Sequence, residues 1–345
     1  MPIYTTLDFS EPFWQNKRPL IDSRSLLFPE RSLFFALKGR RSDGHQYLED
    51  LYQLGVRHFV AQRIPLALRQ KEDAHWAQVA DVLATLQALA AYHRTQFSAI
   101  PLLAITGSNA KTMIKEGLSQ LLEGRCKLAK SPKSYNSQIG VPLSVLQLQP
   151  THDRAIFEAG ISQVGEMARL AAILRPTLGL LTNLGPAHDS GFASRRQKLA
   201  EKLRLFEGAA ALVYCADQPL VHEGIQAWHA TLASTAAPQL WSWGQHPEAR
   251  VPLRTEVCDY ETVVHLRWAD EDHRFTLPTT SMAMVENRLH MLVVLGHWGW
   301  PIPEMIVGLQ HLSELPMRLA YQAGINGCYL IDDSYNNDLE GLRIG

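Results

Sequence analysis

Residues 106–112 read Thr-Gly-Ser-Asn-Ala-Lys-Thr. They stand between an apolar run, AIPLLAIT, and a segment, MIKEGLSQLLE, whose Ile114, Leu118, Leu121 and Leu122 define one helical face. A glycine-bearing turn between a strand and a helix is a phosphate-binding arrangement. Backbone N–H groups of Gly107, Ser108, Asn109 and Ala110 and of the helix N-terminus can hold phosphate oxygens, Lys111 can reach the β and γ phosphates of ATP, and the Thr112 hydroxyl can ligate magnesium. Ala110 stands where a glycine normally precedes the lysine. Its Cβ strains the backbone if that position needs φ > 0, and weakened ATP affinity is the expected consequence.

Glu158 ends the next strand, RAIFEAG, at the carboxyl edge where open α/β sheets bind ligands, and a carboxylate there can take a phosphate-bound magnesium. Read alone, it is more readily a solvated strand-end glutamate. His188 follows the strand TLGLLTNL by a short turn and is, by itself, an ordinary histidine. Lys198 and Lys202 are four apart on the following helix and share a face; their types alone describe two solvated lysines.

These residues need a scaffold. From about residue 20 to 98, strand-like runs (SLFFAL, HFVAQ) mix with a helix carrying Val82, Leu86, Leu89 and Ala90, which predicts an N-terminal α/β domain over 1–98. From 99 to 315, strands and helices alternate through RAIFEAG, GEMARLAAILRP, TLGLLTNL, RQKLAEKLRLF and ALVYCA. That order predicts a central domain with a mostly parallel sheet covered on both faces. Residues 239–278 turn β-rich and predict an antiparallel extension before helices return at VENRLHMLVVLGHW and PEMIVGLQHL. Residues 316–345 open like a third domain, with one strand and a turn, too short to build a core.

Composition sets the outer bounds. A chain of 345 residues, 46% hydrophobic, can bury more than one core. Lys+Arg of 33 against Asp+Glu of 34 leaves no basic excess to attract nucleic acid or an anionic membrane. The N-terminus has no basic-then-apolar leader, and no stretch reaches about 18 uninterrupted apolar residues, so a cytoplasmic protein is expected. Cys126, Cys215, Cys258 and Cys328 lie far apart without CxxC spacing and read as reduced thiols.

Taken together, these motifs resemble the Mur ligase family over nearly the whole chain. TGSNAKT, SYNSQIGVP, FEAGIS, TNLGPAH and AEKLRLF match family segments in order and spacing. Asp22-Ser23-Arg24 and LFFALKGRRSDGH resemble its uridine-nucleotide domain. Within the family the likeness is greatest to the branch that joins D-alanyl-D-alanine to UDP-N-acetylmuramoyl-tripeptide through an acyl phosphate. The resemblance implies that Thr112 and Glu158 hold one of two Mg2+ ions with ATP, that His188 helps hold the second, and that Lys202 is carbamylated and acts as an acidic ligand. Lys111, Lys202 and His188 become the catalytic set. Asn287, Arg318 and Asp333 resemble residues at the adenine, the nucleotide and the ribose. Ser23, Arg24, Gly39 and Arg40 would lie near UDP, and Asn136 and Gln138 would border the muramoyl-peptide side.

The resemblance further implies a monomer, and a third, Rossmann-like domain of which 316–345 is only the beginning. A chain stopping there is expected to bind the UDP-linked substrate and to ligate poorly. Some relatives carry an alanine racemase domain, so PLP would belong only to a longer parent. Two rivals stay open. One is a folylpolyglutamate-type ligase, against which the DSR and DGH segments argue. The other is a non-catalytic homologue, suggested by Ala110 and opposed by retention of Lys111, Thr112, Glu158, His188 and Lys202.

Overall fold

The computed structural model describes residues 3–4, 7–39, 42–185, 189–235, 237–313, 320–323, 325 and 328–332. The first sheet is parallel throughout: β1 (Ile3–Tyr4), β2 (Arg18–Leu20), β3 (Ser32–Phe35), β4 (His58–Ala61) and β5 (His75–Gln78), in the order β1-β5-β4-β3-β2. Alternation along β3 sends Phe34 to one face, with Leu48 and Leu51 of α1 (Leu48–Gln53). Leu33 and Phe35 go to the other face, against Val82, Leu86 and Leu89 of α2 (Val82–Gln96). Asp81 caps α2 by accepting a hydrogen bond from the Ala84 amide.

The second sheet is built from β6 (Leu102–Thr106), α3 (Lys111–Leu121), β7 (Leu128–Lys130), α4 (Gly140–Val145), β8 (Arg154–Glu158), α5 (Glu166–Leu174), β9 (Leu178–Leu181), α6 (Arg195–Leu203), β10 (Ala211–Cys215), α7 (Pro219–Thr231), β11 (Gln239–Gly244), β12 (Val251–Cys258), β13 (Glu261–Trp268) and β14 (Glu271–Leu277), followed by α8 (Met282–His297) and α9 (Ile302–Gln310). Its order is β14-β13-β12-β11-β10-β9-β6-β8-β7. β6 is buried at every position, as a parallel strand covered on both sides must be. Leu103 and Ile105 face α3, α8 and α9; Leu102 and Ala104 face α4, α5 and α6.

The mixed α/β architecture, mostly parallel with an antiparallel extension, is therefore as expected, with one adjustment. The antiparallel part is narrower than 239–278, because β11 runs parallel to β10 and the start of β12 parallel to β11; only β12–β13 and β13–β14 pair antiparallel. Past residue 313, β15 (Ala320–Ala323) and β16 (Tyr329–Asp332) form an antiparallel pair rather than a single strand. Among the described residues, no helix is long and apolar enough to cross a membrane.

A parallel sheet puts all its carboxyl ends on one edge. The loop after β6, Glu158 at the end of β8, and residues 182–185 after β9 consequently converge there, β9 and β8 flanking β6 on its two sides.

Candidate nucleotide and metal site

The loop after β6 is moulded against the loop after β9. Gly107 has φ 144°, and a Cβ on it would lie 1.9 Å from Thr182 Oγ1, so no other residue fits. The Ser108 amide donates to Asn183 O (2.9 Å), the Asn109 amide to Asn183 Oδ1 (2.9 Å), and Thr182 Oγ1 donates to Asn109 O (2.8 Å). Two loop amides expected to bind phosphate are thus committed to Asn183. The donors aimed outward belong to the first turn of α3, which has no side-chain cap.

The residue before that turn, Ala110, has φ 68° and ψ −9°. This is the left-handed region, so the condition attached to its Cβ is met. Lys111 folds back over the loop, its Nζ donating to Gly107 O (2.8 Å) and Ser108 O (2.9 Å).

Thr112, one residue into α3, donates from Oγ1 to Glu158 Oε2 at 3.0 Å. Glu158 is fully buried, not solvated as its type alone allowed. Asn136 reaches the same oxygen at 3.4 Å through Nδ2. The other carboxylate oxygen, Oε1, lies 3.1 Å from Lys115 Nζ as an ion pair and receives no directed hydrogen bond. A hydroxyl and a carboxylate side by side at a helix N-terminus make a hard-oxygen donor pair suited to magnesium.

Lys115 escaped the sequence reading. Its fully buried ammonium pairs with Glu158 and with Glu116 Oε1 (3.0 Å) and donates to Ser131 O (2.8 Å) and Lys133 O. It ties the Glu158 carboxylate to the 131–133 loop. Burial would raise the Glu116 carboxyl, but hydrogen bonds from Lys130 and Lys115 outweigh it and hold the group below its ordinary value. The available signal was position: Lys115 lies between Ile114 and Leu118 on the inward face of α3.

Lys198 and Lys202 are likewise buried, contrary to their reading as solvated lysines, because their face of α6 turns toward the loop after β6. Lys202 Nζ donates to Gly107 O at 3.2 Å, the carbonyl Lys111 also uses. Burial, and then repulsion by Lys111 and Lys198, pushes the Lys202 ammonium well below the ordinary lysine value. Lys198 Nζ donates to Gly185 O (2.6 Å) and pairs with Asp189 Oδ1 (2.8 Å). Lys111 and Lys202 thus share the Gly107 carbonyl, with Lys198 beside them at the loop after β9.

The remaining candidates are dispersed. Asn287, on α8, points Nδ2 at Met113 Sδ (3.9 Å), beside the start of α3. Gln138 ties α5 to α2, donating to Glu166 O and accepting from Gln87 Nε2, both at 3.1 Å. Ser23, Arg24 and Gly39 follow β2 and β3, at the carboxyl edge of the other sheet; Arg24 is exposed and paired with Asp22 at 2.7 Å. Arg40, His188, Arg318 and Asp333 lie outside the described residues.

Against known proteins, the Mur ligase middle domain matches residues 105–295, more than half of the chain. The chain belongs to the Mur ligase family. Among its relatives, the UDP-N-acetylmuramoyl-tripeptide--D-alanyl-D-alanine ligase of Synechocystis sp. is 38% identical over 324 residues, 93% of this chain. This Mur ligase chain spans 66% of that relative's length, just under two thirds. The crystal structure of MurF from Acinetobacter baumannii superposes with a TM-score of 0.82 at 24% identity, covering 95% of this chain and 70% of its own. MurF from Thermotoga maritima, solved in complex with ADP, gives 0.79 at 23%, covering 95% and 73%. At those identities the two structures speak for the fold.

Proposed function

We propose that this Mur ligase chain acts in ATP-dependent amide-bond formation, joining D-alanyl-D-alanine to UDP-N-acetylmuramoyl-tripeptide. The observation that carries the reading is the Thr112–Glu158 pair at the mouth of the uncapped α3, with Lys111 and Lys202 converging on Gly107. The relatives' shared activity supplies the substrates, and the ADP bound to the Thermotoga protein supports an adenine nucleotide as the ligand.

On this reading the first turn of α3 and Lys111 bind the triphosphate, Lys111 exchanging its loop carbonyls for phosphate oxygens. Thr112 and Glu158 would hold Mg2+, which supplies charge neutralisation at the β and γ phosphates. The tripeptide carboxylate attacks the γ-phosphorus, releasing ADP and leaving an acyl phosphate. The D-alanyl-D-alanine amine then attacks the acyl carbon, losing a proton and expelling phosphate. Positioning and charge neutralisation carry such a reaction. Glu158 is itself positioned by Lys115 and Asn136.

Lys202 fits carbamylation because burial disfavours its ammonium, and the neutral amine is the form that adds CO2 and releases a proton. The product, an N-carboxylate, places an anion able to share a second magnesium between Lys111 and Lys198. Ser23, Arg24 and Gly39 would meet the uridine nucleotide, Asn287 the adenine, and Asn136 the peptide side. The decisive assay follows phosphate release with UDP-N-acetylmuramoyl-tripeptide, D-alanyl-D-alanine and ATP, on this chain and on one as long as its relatives. The expected result is release that needs all three; release independent of D-alanyl-D-alanine, or none from either chain, overturns the reading. Carbamylation is read separately, as a carbon-13 carbamate resonance in labelled bicarbonate that Lys202→Met abolishes.

A further inference from the structure

Two strands along the same sheet edge from the β9 loop, a second donor cluster stands apart from the nucleotide site. His222, in the first turns of α7, is buried, whereas His246 and Glu248 lie on the loop after β11. One ligand atom from each lies within 4.8 Å of the others. We propose that His222, His246 and Glu248 form a binding site for a divalent cation of the zinc class, clipping α7 to the β11–β12 loop.

The surroundings are built for this. Tyr214 OH lies 3.2 Å from His222 Nδ1 and also accepts from Gln226 Nε2 (3.4 Å). That engages Nδ1 inside the protein and directs Nε2 outward, 3.4 Å from Glu248 Oε2. An imidazole whose inner nitrogen is oriented by a neighbour is the usual outer-shell arrangement of a metal-ligating histidine.

The opposite wall is fixed as well. Asp217 accepts from the Gln245 amide (3.0 Å) through Oδ2 and the His246 amide (2.8 Å) through Oδ1, and Gly244, at φ 140°, is needed there because a Cβ would meet Asp217 Oδ1 at 2.5 Å. The His246 ring is tilted 44° to the His222 ring, with centroids 4.3 Å apart.

Two imidazoles and a carboxylate are a zinc donor set with a fourth position left for water. Tetrahedral zinc needs about 3.4 Å between ligand atoms, a contraction on the order of 1 Å here. The exposed Glu248 and half-buried His246 can supply it, His246 giving up the long 3.2 Å bond its Nδ1 accepts from the Glu248 amide. The clip would steady the start of α7, where Gln218 donates to Glu286 Oε1 at 2.6 Å.

The test titrates the full chain with Co(II) in excess magnesium, which keeps the hard-oxygen site at Thr112 and Glu158 out of the readout. The expected result is one equivalent of cobalt with the strong visible absorption of tetrahedral coordination, displaced by one equivalent of zinc. His246→Ala and Glu248→Gln change exposed or half-buried groups and should leave the circular dichroism unchanged. Each is expected to weaken binding by at least the about 10–100-fold typical of losing an outer-shell partner, and Tyr214→Phe by about 10-fold. Absence of the tetrahedral spectrum, or its persistence undiminished in His246→Ala, would overturn the proposal.

Discussion

At the scale of single residues, the site combines strain with unusual charge. Ala110 holds a left-handed backbone that costs an L-residue about 1–2 kcal/mol, against about 0.4–1 kcal/mol that glycine loses through its freer unfolded chain. Ala110→Gly is therefore expected to raise stability in urea by about 0.5–1 kcal/mol and to tighten ATP binding; equal affinities by calorimetry would show that the Cβ does not crowd the phosphates. Lys202 carries a pH signature. Between its lowered folded pKa and the ordinary 10.5, the unfolded chain binds a proton that the folded chain does not, so stability rises with pH across that window. One such proton gives a slope of up to about 1.4 kcal/mol per pH unit. Lys202→Met should flatten the rise between neutral and alkaline pH in denaturant titrations run without bicarbonate, and an unchanged slope would assign it to other groups.

At the scale of elements, close packing fixes where α6 delivers Lys202. A Cβ on Gly179, in β9, would lie 2.3 Å from the Phe206 ring just past the end of α6, and a rigid aromatic cannot fold aside. Gly179→Ala is expected to destabilise by about 1–3 kcal/mol, as overpacking does, and to displace the α6 end that carries Lys202. Chemical denaturation checks the first effect and the carbamate resonance the second. The same elements show what the sequence could reveal. β6, β8 and β9 were legible as apolar runs, and the loop after β6 stood out because glycine, lysine and threonine fell between two periodic segments. β7 has three residues, too few for a period, and α4 (Gly140–Val145) is buried at every position and contains Pro142, so it lacks a polar face. The burial of Glu158, Lys198 and Lys202 was invisible because each is satisfied by partners outside its own element, Lys202 by a carbonyl 95 positions away.

At the scale of the whole molecule, α2 is shared by both sheets, as is α4, whose Leu143 joins the first core and Val141 and Val145 the second. Val82, Leu86 and Leu89 close the core of the first sheet, while Ala90 enters the core of the second. Arg94, near its end and almost fully buried, donates from Nε to Leu174 O (2.9 Å) and from Nη2 to Ile100 O (3.2 Å) and Arg175 O (3.4 Å), and from Nη1 to Phe97 O. One guanidinium thus satisfies the carbonyl ends of α2 and α5 and the segment leading into β6. Replacing it with leucine takes this donor from the buried Leu174 and Ile100 carbonyls, a cost of about 1–3 kcal/mol for each one that stays dry, while Phe97 O keeps the Ile100 amide (3.0 Å). Because the lost bonds join α2 to the second sheet and spare its packing on the first, Arg94→Leu should loosen the connection more than either core. In hydrogen exchange at rising denaturant, peptides from β3–β5 and from β6–β9 are expected to lose protection together in the natural chain and separately in the variant. Coincident exchange in both would show that apolar contacts couple the two sheets without it, and Arg94 would then be a local cap.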